Sequence, residues 1–279
     1  YTPHDTLSLH DALPISEHYL ATGNDESLKT AISLYHVLEE KGREPQYDGY
    51  VESFTENWKK LERYDNNAPK TMNAHLHVLE AYTLLYQCWK DNGLKKRLEF
   101  CVDLFMNRIY DPSRRHFNLF FDNEWNSLVE MDSYGHDVET GWLLCEAART
   151  LENQDLIKRT NLLALDVTGA CLAEGMSDKG YMIYEKKGDR KTKHASWWGQ
   201  VETMIACVNA WQISGDEAWL QSADTVWTFV KDHMVDKEYG EWYSDCFDGE
   251  PKKGAPKVSM WRCPYHTVRL GVEMYNRLK

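Results

Sequence analysis

The sequence lacks any apolar run near the roughly 18 residues that a membrane-crossing helix requires. It also lacks a dense basic stretch. Its 32 Lys and Arg are outnumbered by 44 Asp and Glu, for a formal net charge of −12 and a pI near 5.4. That balance argues against a nucleic-acid or anionic-membrane partner. No basic start followed by an apolar stretch marks a secretion signal. The seven cysteines, Cys88, Cys101, Cys145, Cys171, Cys207, Cys246 and Cys263, form no C-x-x-C pair. Zinc-ribbon and thioredoxin-like motifs are thereby excluded, and the odd, scattered set reads as reduced thiols in a cytoplasmic protein.

Aromatic residues, by contrast, are plentiful: 11 Trp, 16 Tyr and 8 Phe in 279 residues. Such an excess suits sugar binding and a packed core alike. The hydrophobic share of 42% and charged share of 27% are those of a globular chain.

Residues 1–15 stand apart. The stretch Thr6 to Ile15 has no continuity with the residues after it and resembles a translated sequencing adapter, so it is expected to be non-native. From Ser16 the chain reads as a natural protein entered mid-helix, and residues 16–279 are expected to form one domain.

The domain repeats itself. Gly or Asn just past an apolar periodic run marks a helix end. Such marks recur at Gly23, Gly93, Asn153 and Gly215, in steps of 70, 60 and 62 residues. Each precedes a second amphipathic stretch, such as Leu28, Ala31, Ile32, Tyr35 and Leu38. A second mark, an aromatic-rich turn, recurs at Gly49, His116, Gly180 and Gly240, in steps of 67, 64 and 60. Short alternating segments after it, such as Gly240 to Ser244, predict short strands. The unit is helix, tight turn, helix, aromatic loop. Hairpins at this period predict a ring of paired helices. The count gives eight helices and a fragment, so a six-hairpin ring would be incomplete at the N-terminus, with little activity expected of it.

The first helix of each pair opens on chemistry-bearing residues. In Asn73-Ala74-His75-Leu76-His77-Val78-Leu79-Glu80, the residues Asn73, His77 and Glu80 share a face at about 100° per residue. His75 points elsewhere. The next opens Ser133-Tyr134-Gly135-His136-Asp137-Val138-Glu139, with His136 and Glu139 on one face. Gly-His-Asp-x-Glu also evokes a metal site, but no further ligands occur at a fixed spacing, so no metal is expected. The third opens His194-Ala195-Ser196-Trp197-Trp198, with Trp198 and Glu202 four residues apart. The last opens Trp261-Arg262-Cys263-Pro264-Tyr265-His266, and Pro264 fits a first turn. From His77 to His136 is 59 residues, on to Trp198 is 62, and on to His266 is 68. This is the structural period, so His77, His136, Trp198, Trp261 and His266 are expected to converge at one mouth.

Together, NAHLHVLEAY (73–82), SYGHDVETGWLL (133–144), WWGQVE (197–202) and WRCPYHTVR (261–269) resemble the cellobiose 2-epimerases of the N-acylglucosamine 2-epimerase superfamily. The resemblance runs from Ser16 to the C-terminus. It implies an all-α (α/α)6 barrel and reversible epimerisation at C2 of the reducing sugar in β-1,4-linked disaccharides. By position, His136 and His266 are implied as the two acid/base residues flanking C2. His77 is implied as a third histidine handling protons on O1 and O2. Asn73, Glu139, Trp198 and Trp261 are implied as sugar-contacting or supporting residues. The family's active-site Arg has no counterpart here. The resemblance also implies no cofactor, a small-molecule carbohydrate as partner and a monomeric full-length parent.

The chemistry independently asks for imidazole. Inverting a carbon next to a carbonyl removes its hydrogen and returns it on the other face, through an enediol or enediolate. Each proton carrier must accept and donate near neutral pH, as a group of pKa about 6.5 does. Four other readings remain open. One is a mannobiose or N-acylglucosamine 2-epimerase, and another an aldose–ketose isomerase of the same superfamily. The third is a glycoside hydrolase using Glu139 and Glu202. The fourth is a non-catalytic binding module.

Overall fold

A computed structural model describes residues 9–61, 64–259 and 262–279. Among these are nine α-helices: α1 (Leu9–Thr22), α2 (Asp25–Val37), α3 (Met72–Cys88), α4 (Asn92–Leu104), α5 (Tyr134–Thr150), α6 (Gln154–Gly175), α7 (Trp197–Ser214), α8 (Ala218–Phe229) and α9 (Tyr265–Arg277). α1 runs without a break through the boundary drawn at residue 15. No helix among the described residues is long and apolar enough to cross a membrane.

The chain divides into two compact units. The first comprises residues up to Pro112, with Phe117–Glu130 and Glu146–Ile157. The second comprises Ser113–His116, Met131–Cys145 and Lys158–Lys279.

In the first unit α1 packs on α2 and α3, and α3 on α4. α3 is buried on nearly every side, from Met72 through Thr83. α4 is amphipathic and inserts Leu94, Leu98, Cys101 and Val102. A helix apolar all round belongs inside, and one with a single apolar stripe covers it. The second unit repeats the scheme. α7 is buried continuously from Gly199 to Ala210, and α8 covers it through Val226 and Phe229. Leu98 has no exposed surface. Leu98→Ala is therefore expected to destabilise the protein by about 2–5 kcal/mol, read as a lowered urea midpoint with an unchanged m-value.

Helix ends obey local chemistry, with three shifts from expectation, the first at Asn153, which caps the start of α6 through the Asp155 and Leu156 N–H groups rather than closing α5. Gly23 and Gly215 close their helices with φ of 69° and 74°, where only glycine is unstrained. Gly93 does not end a helix. Asp91 accepts from the Gly93 and Leu94 N–H groups, so Asn92 and Gly93 open α4 instead. Pro264 sits one residue before α9, at its N-cap.

Short strands lead directly into the inner helices. Lys70–Thr71 pairs with Phe120–Phe121 ahead of α3. Met131–Ser133 pairs with Glu185–Lys187 ahead of α5. His194–Ser196 pairs with Asp245–Phe247 ahead of α7, so this helix begins at Trp197 rather than His194. The expected strand near 240–244 lies slightly later, at Asp245–Phe247. These ribbons fix where the first turn of each inner helix starts, and the first turns carry the functional residues. All seven thiols are free and five are buried.

Candidate active site

In the second unit the first turns of α5 and α7 and the start of α9 come together. The Trp198 indole lies 4.6 Å from the His136 ring and 5.8 Å from the His266 ring, centroid to centroid. Tyr184 meets the same indole edge-on at 6.0 Å. The approach depends on Gly135, since a Cβ there would lie 2.6 Å from the Trp198 ring.

Each imidazole is anchored through Nδ1. His136 Nδ1 and the Ser133 hydroxyl share a hydrogen bond of 2.7 Å. His266 Nδ1–H donates to Glu202 Oε1 at 2.7 Å. An ionised carboxylate can only accept, so the tautomer of His266 is set and its proton exchange must occur at Nε2.

Glu202 is fully buried and held from three sides. Besides His266, Trp142 Nε1–H donates to Oε2 at 2.9 Å, and Arg269 Nη1 lies 3.2 Å from Oε1. Burial alone would raise the Glu202 carboxyl. The Arg269 guanidinium and the donors from His266 and Trp142 outweigh it, so Glu202 titrates below the ordinary carboxylate range. Arg269 Nη1 also donates to Glu139 Oε1 at 2.8 Å, and the guanidinium rests on the Tyr265 ring at 4.1 Å. Two buried carboxylates thus share one guanidinium.

Glu139, Glu202 and His266 have the atom types of a metal site and lie close enough to share an ion. Arg269 already fills the cationic position between the two carboxylates. His136, where the sequence evoked a metal, is not part of that group.

A family profile described as N-acylglucosamine 2-epimerase (GlcNAc 2-epimerase) matches residues 12–268. The chain belongs to the N-acylglucosamine 2-epimerase family. The cellobiose 2-epimerase of Bacteroides fragilis is 38% identical over 270 residues, covering 93% of this chain and 68% of the relative. That of Dictyoglomus turgidum is 35% identical, covering 95% and 69%. The solved cellobiose 2-epimerase of Bacillus thermoamylovorans superposes with a TM-score of 0.92 at 34% identity, covering 96% of this chain and 70% of that one. The fold class is accordingly the all-α (α/α)6 barrel type of this family.

The remaining candidates of this epimerase-family chain lie in the first unit or outside the described residues. His77 is buried on α3, with Nδ1 3.4 Å from Glu80 Oε2, which accords with their shared face. Asn73 occupies the first turn of the same helix. His75 is structural. Its Nδ1–H donates to the Thr71 carbonyl at 2.6 Å and its Nε2 accepts from the Tyr50 N–H at 2.9 Å. Burial pushes it down to about 4, so it is neutral at physiological pH. Trp261 lies outside the described residues.

Trp142 and Arg269 fall within the family-like motifs, yet the sequence alone gave them no role. The available signal was spacing: each lies three residues after a candidate, Glu139 and His266, hence on the same helix face.

Proposed function

We propose that the protein is a cellobiose 2-epimerase-like isomerase. It inverts C2 at the reducing-end sugar of a β-1,4-linked disaccharide, interconverting glucose and mannose configurations. The observation that carries this reading is the pair of imidazoles, His136 and His266, meeting one indole with their Nδ1 atoms anchored. The identities to cellobiose 2-epimerases over more than nine-tenths of the chain support the substrate class.

In the ring-opened sugar one imidazole takes the C2 proton at Nε2. The C–H electrons move toward the C1 carbonyl and give an enediolate. A proton returned to the opposite face restores the carbonyl with C2 inverted. Electrons balance within the substrate, so the step needs no redox partner. Trp198 is proposed to carry the sugar face. Glu139 and Glu202 are proposed to hold the Arg269–His266 assembly. Asn73, His77 and Trp261 take the sugar-contact and oxygen-protonation roles implied by the family motif. Free, mostly buried thiols support a reducing, cytoplasmic setting.

Glycoside hydrolysis fits this site less well. It needs one carboxyl kept protonated as the acid, whereas Glu139 and Glu202 both face Arg269 and Glu202 is held ionised.

The test is turnover of cellobiose, lactose and mannobiose in heavy water. The expected product is the C2 epimer carrying deuterium at C2. An unlabelled epimer, or release of monosaccharide, would overturn the proposal. Ketose as the main product would reassign the protein as an aldose–ketose isomerase.

A further inference from the structure

Behind His136 lies a second cluster that the proposed reaction does not use. His116 and Asp137 are almost wholly buried, and His116 Nδ1–H donates to Asp137 Oδ2 at 2.7 Å. Asp137 comes directly after His136 in the first turn of α5. On its other side the His116 ring presents Nε2 to Glu174 Oε2 at 3.6 Å, an ion-pair distance without a hydrogen bond. Glu174 accepts from Lys186 at 3.3 Å, and Lys186 lies 3.8 Å from Asp132, which also pairs with Arg114. The charges alternate along the chain Arg114, Asp132, Lys186, Glu174, His116, Asp137. They balance only if His116 carries a proton.

This ladder brackets residues 132–137. Within that segment lie Ser133, which anchors His136 Nδ1, and His136 itself. We propose that protonated His116 and Asp137 form a buried positioning pair that fixes the first turn of α5 and thereby sets the His136 imidazole for proton transfer.

The other groups facing the pair agree. Burial by itself would lower the His116 imidazole. The Asp137 hydrogen bond and the charges of Asp137, Asp132 and Glu174 override it, so His116 titrates above the ordinary value. Cys171 also faces Asp137 Oδ2, at 3.9 Å, and burial raises its thiol well above the usual range, so it adds no charge. Burial raises the Tyr134 hydroxyl too, so it stays neutral. A raised folded value means that the charged pair is intact at low pH and is lost as pH rises through that value. Losing it removes the imidazolium charge from beside the Asp137 carboxylate, next to the reacting histidine.

The inference rests on the proposed role of His136, and its test separates the two. Labelled-histidine NMR on the wild-type protein should show one imidazole titrating above 6.5 that disappears in His116→Gln and moves down in Asp137→Asn. That readout needs no turnover. Both variants should lose about tenfold or more in kcat at pH 6–7 with KM within twofold, as small displacements of a reacting group do. The double variant should be no worse than either single one. The wild-type advantage should shrink as pH rises past the His116 titration, which a merely structural contact would not produce. A His116 titration at or below 6.5, or a rate ratio flat with pH, would overturn the inference. So would stoichiometric zinc on the purified wild-type protein, making His116, Asp137 and Cys171 metal ligands instead. Absence of C2 exchange in the wild type would instead sink the functional reading and leave the NMR result standing. If a variant fails to fold, the wild-type titration still decides.

Discussion

His266→Ala is expected to lower kcat for C2 inversion by about 10³-fold or more, in the range that a general acid/base group supplies, with helical content unchanged. The size reflects how the ring is held. Glu202 fixes the Nδ1–H, so Nε2 is the position at which protons come and go, and alanine offers no substitute there. The fold should survive because Glu202 keeps Trp142 and Arg269 as partners after the ring is gone. His136→Ala should have an effect of the same order, since inversion needs a carrier on each face. The two variants should differ in exchange. Starting from the glucose-configured sugar, a variant lacking only the carrier on the far face should still wash deuterium into recovered substrate while forming no epimer. The variant lacking the near-face carrier should do neither. Normal turnover by either variant, with its circular dichroism intact, would remove that histidine from the reaction.

The hairpin scheme was legible because the helices alternate in character. α7 reads as mostly apolar, while α4 and α8 each carry one stripe. The glycine punctuation also fell where left-handed backbone is needed, at Gly23, Gly180, Gly215 and Gly240. Gly93 misled because Asn-Gly serves as a helix end or as a first turn, and Asp91 capping decides between them. In the site, His136, Glu139, Trp198 and His266 were legible through their phase. Arg269 and Trp142 were not, because their importance is electrostatic and arises only when Glu202 is buried beside them. A single sequence shows spacing on one helix but not which carboxylate on another helix needs a cation. The partner of Asp137 was likewise hidden, as His116 lies 21 residues away on the short strand His116–Phe117.

Arg269→Met should be the most damaging substitution for stability. The side chain of Arg269 is 9% exposed, and it faces both Glu139 and Glu202 through Nη1. Methionine fills much of the same volume and can pack on Tyr265 and Trp142, so the loss is electrostatic rather than a cavity. It leaves two carboxylates, 1% and 0% exposed, without the guanidinium. Breaking a buried pair from one side typically costs about 3–5 kcal/mol, or roughly 6–20 °C in Tm for a chain of this size. The pH dependence identifies the cause. In the wild type, Glu202 has a depressed folded value, so its contribution is present above the ordinary carboxylate pKa and lost as pH falls through the folded one. In the variant, burial dominates and the carboxylates titrate high. They are most costly at neutral pH and shed that cost by taking up protons in acid. The stability gap between wild type and Arg269→Met should therefore narrow steadily from pH 7 to pH 4.5 in urea titrations. A gap that stays constant over that range would mean that Arg269 acts through packing on Tyr265 and Trp142 and not through the two carboxylates.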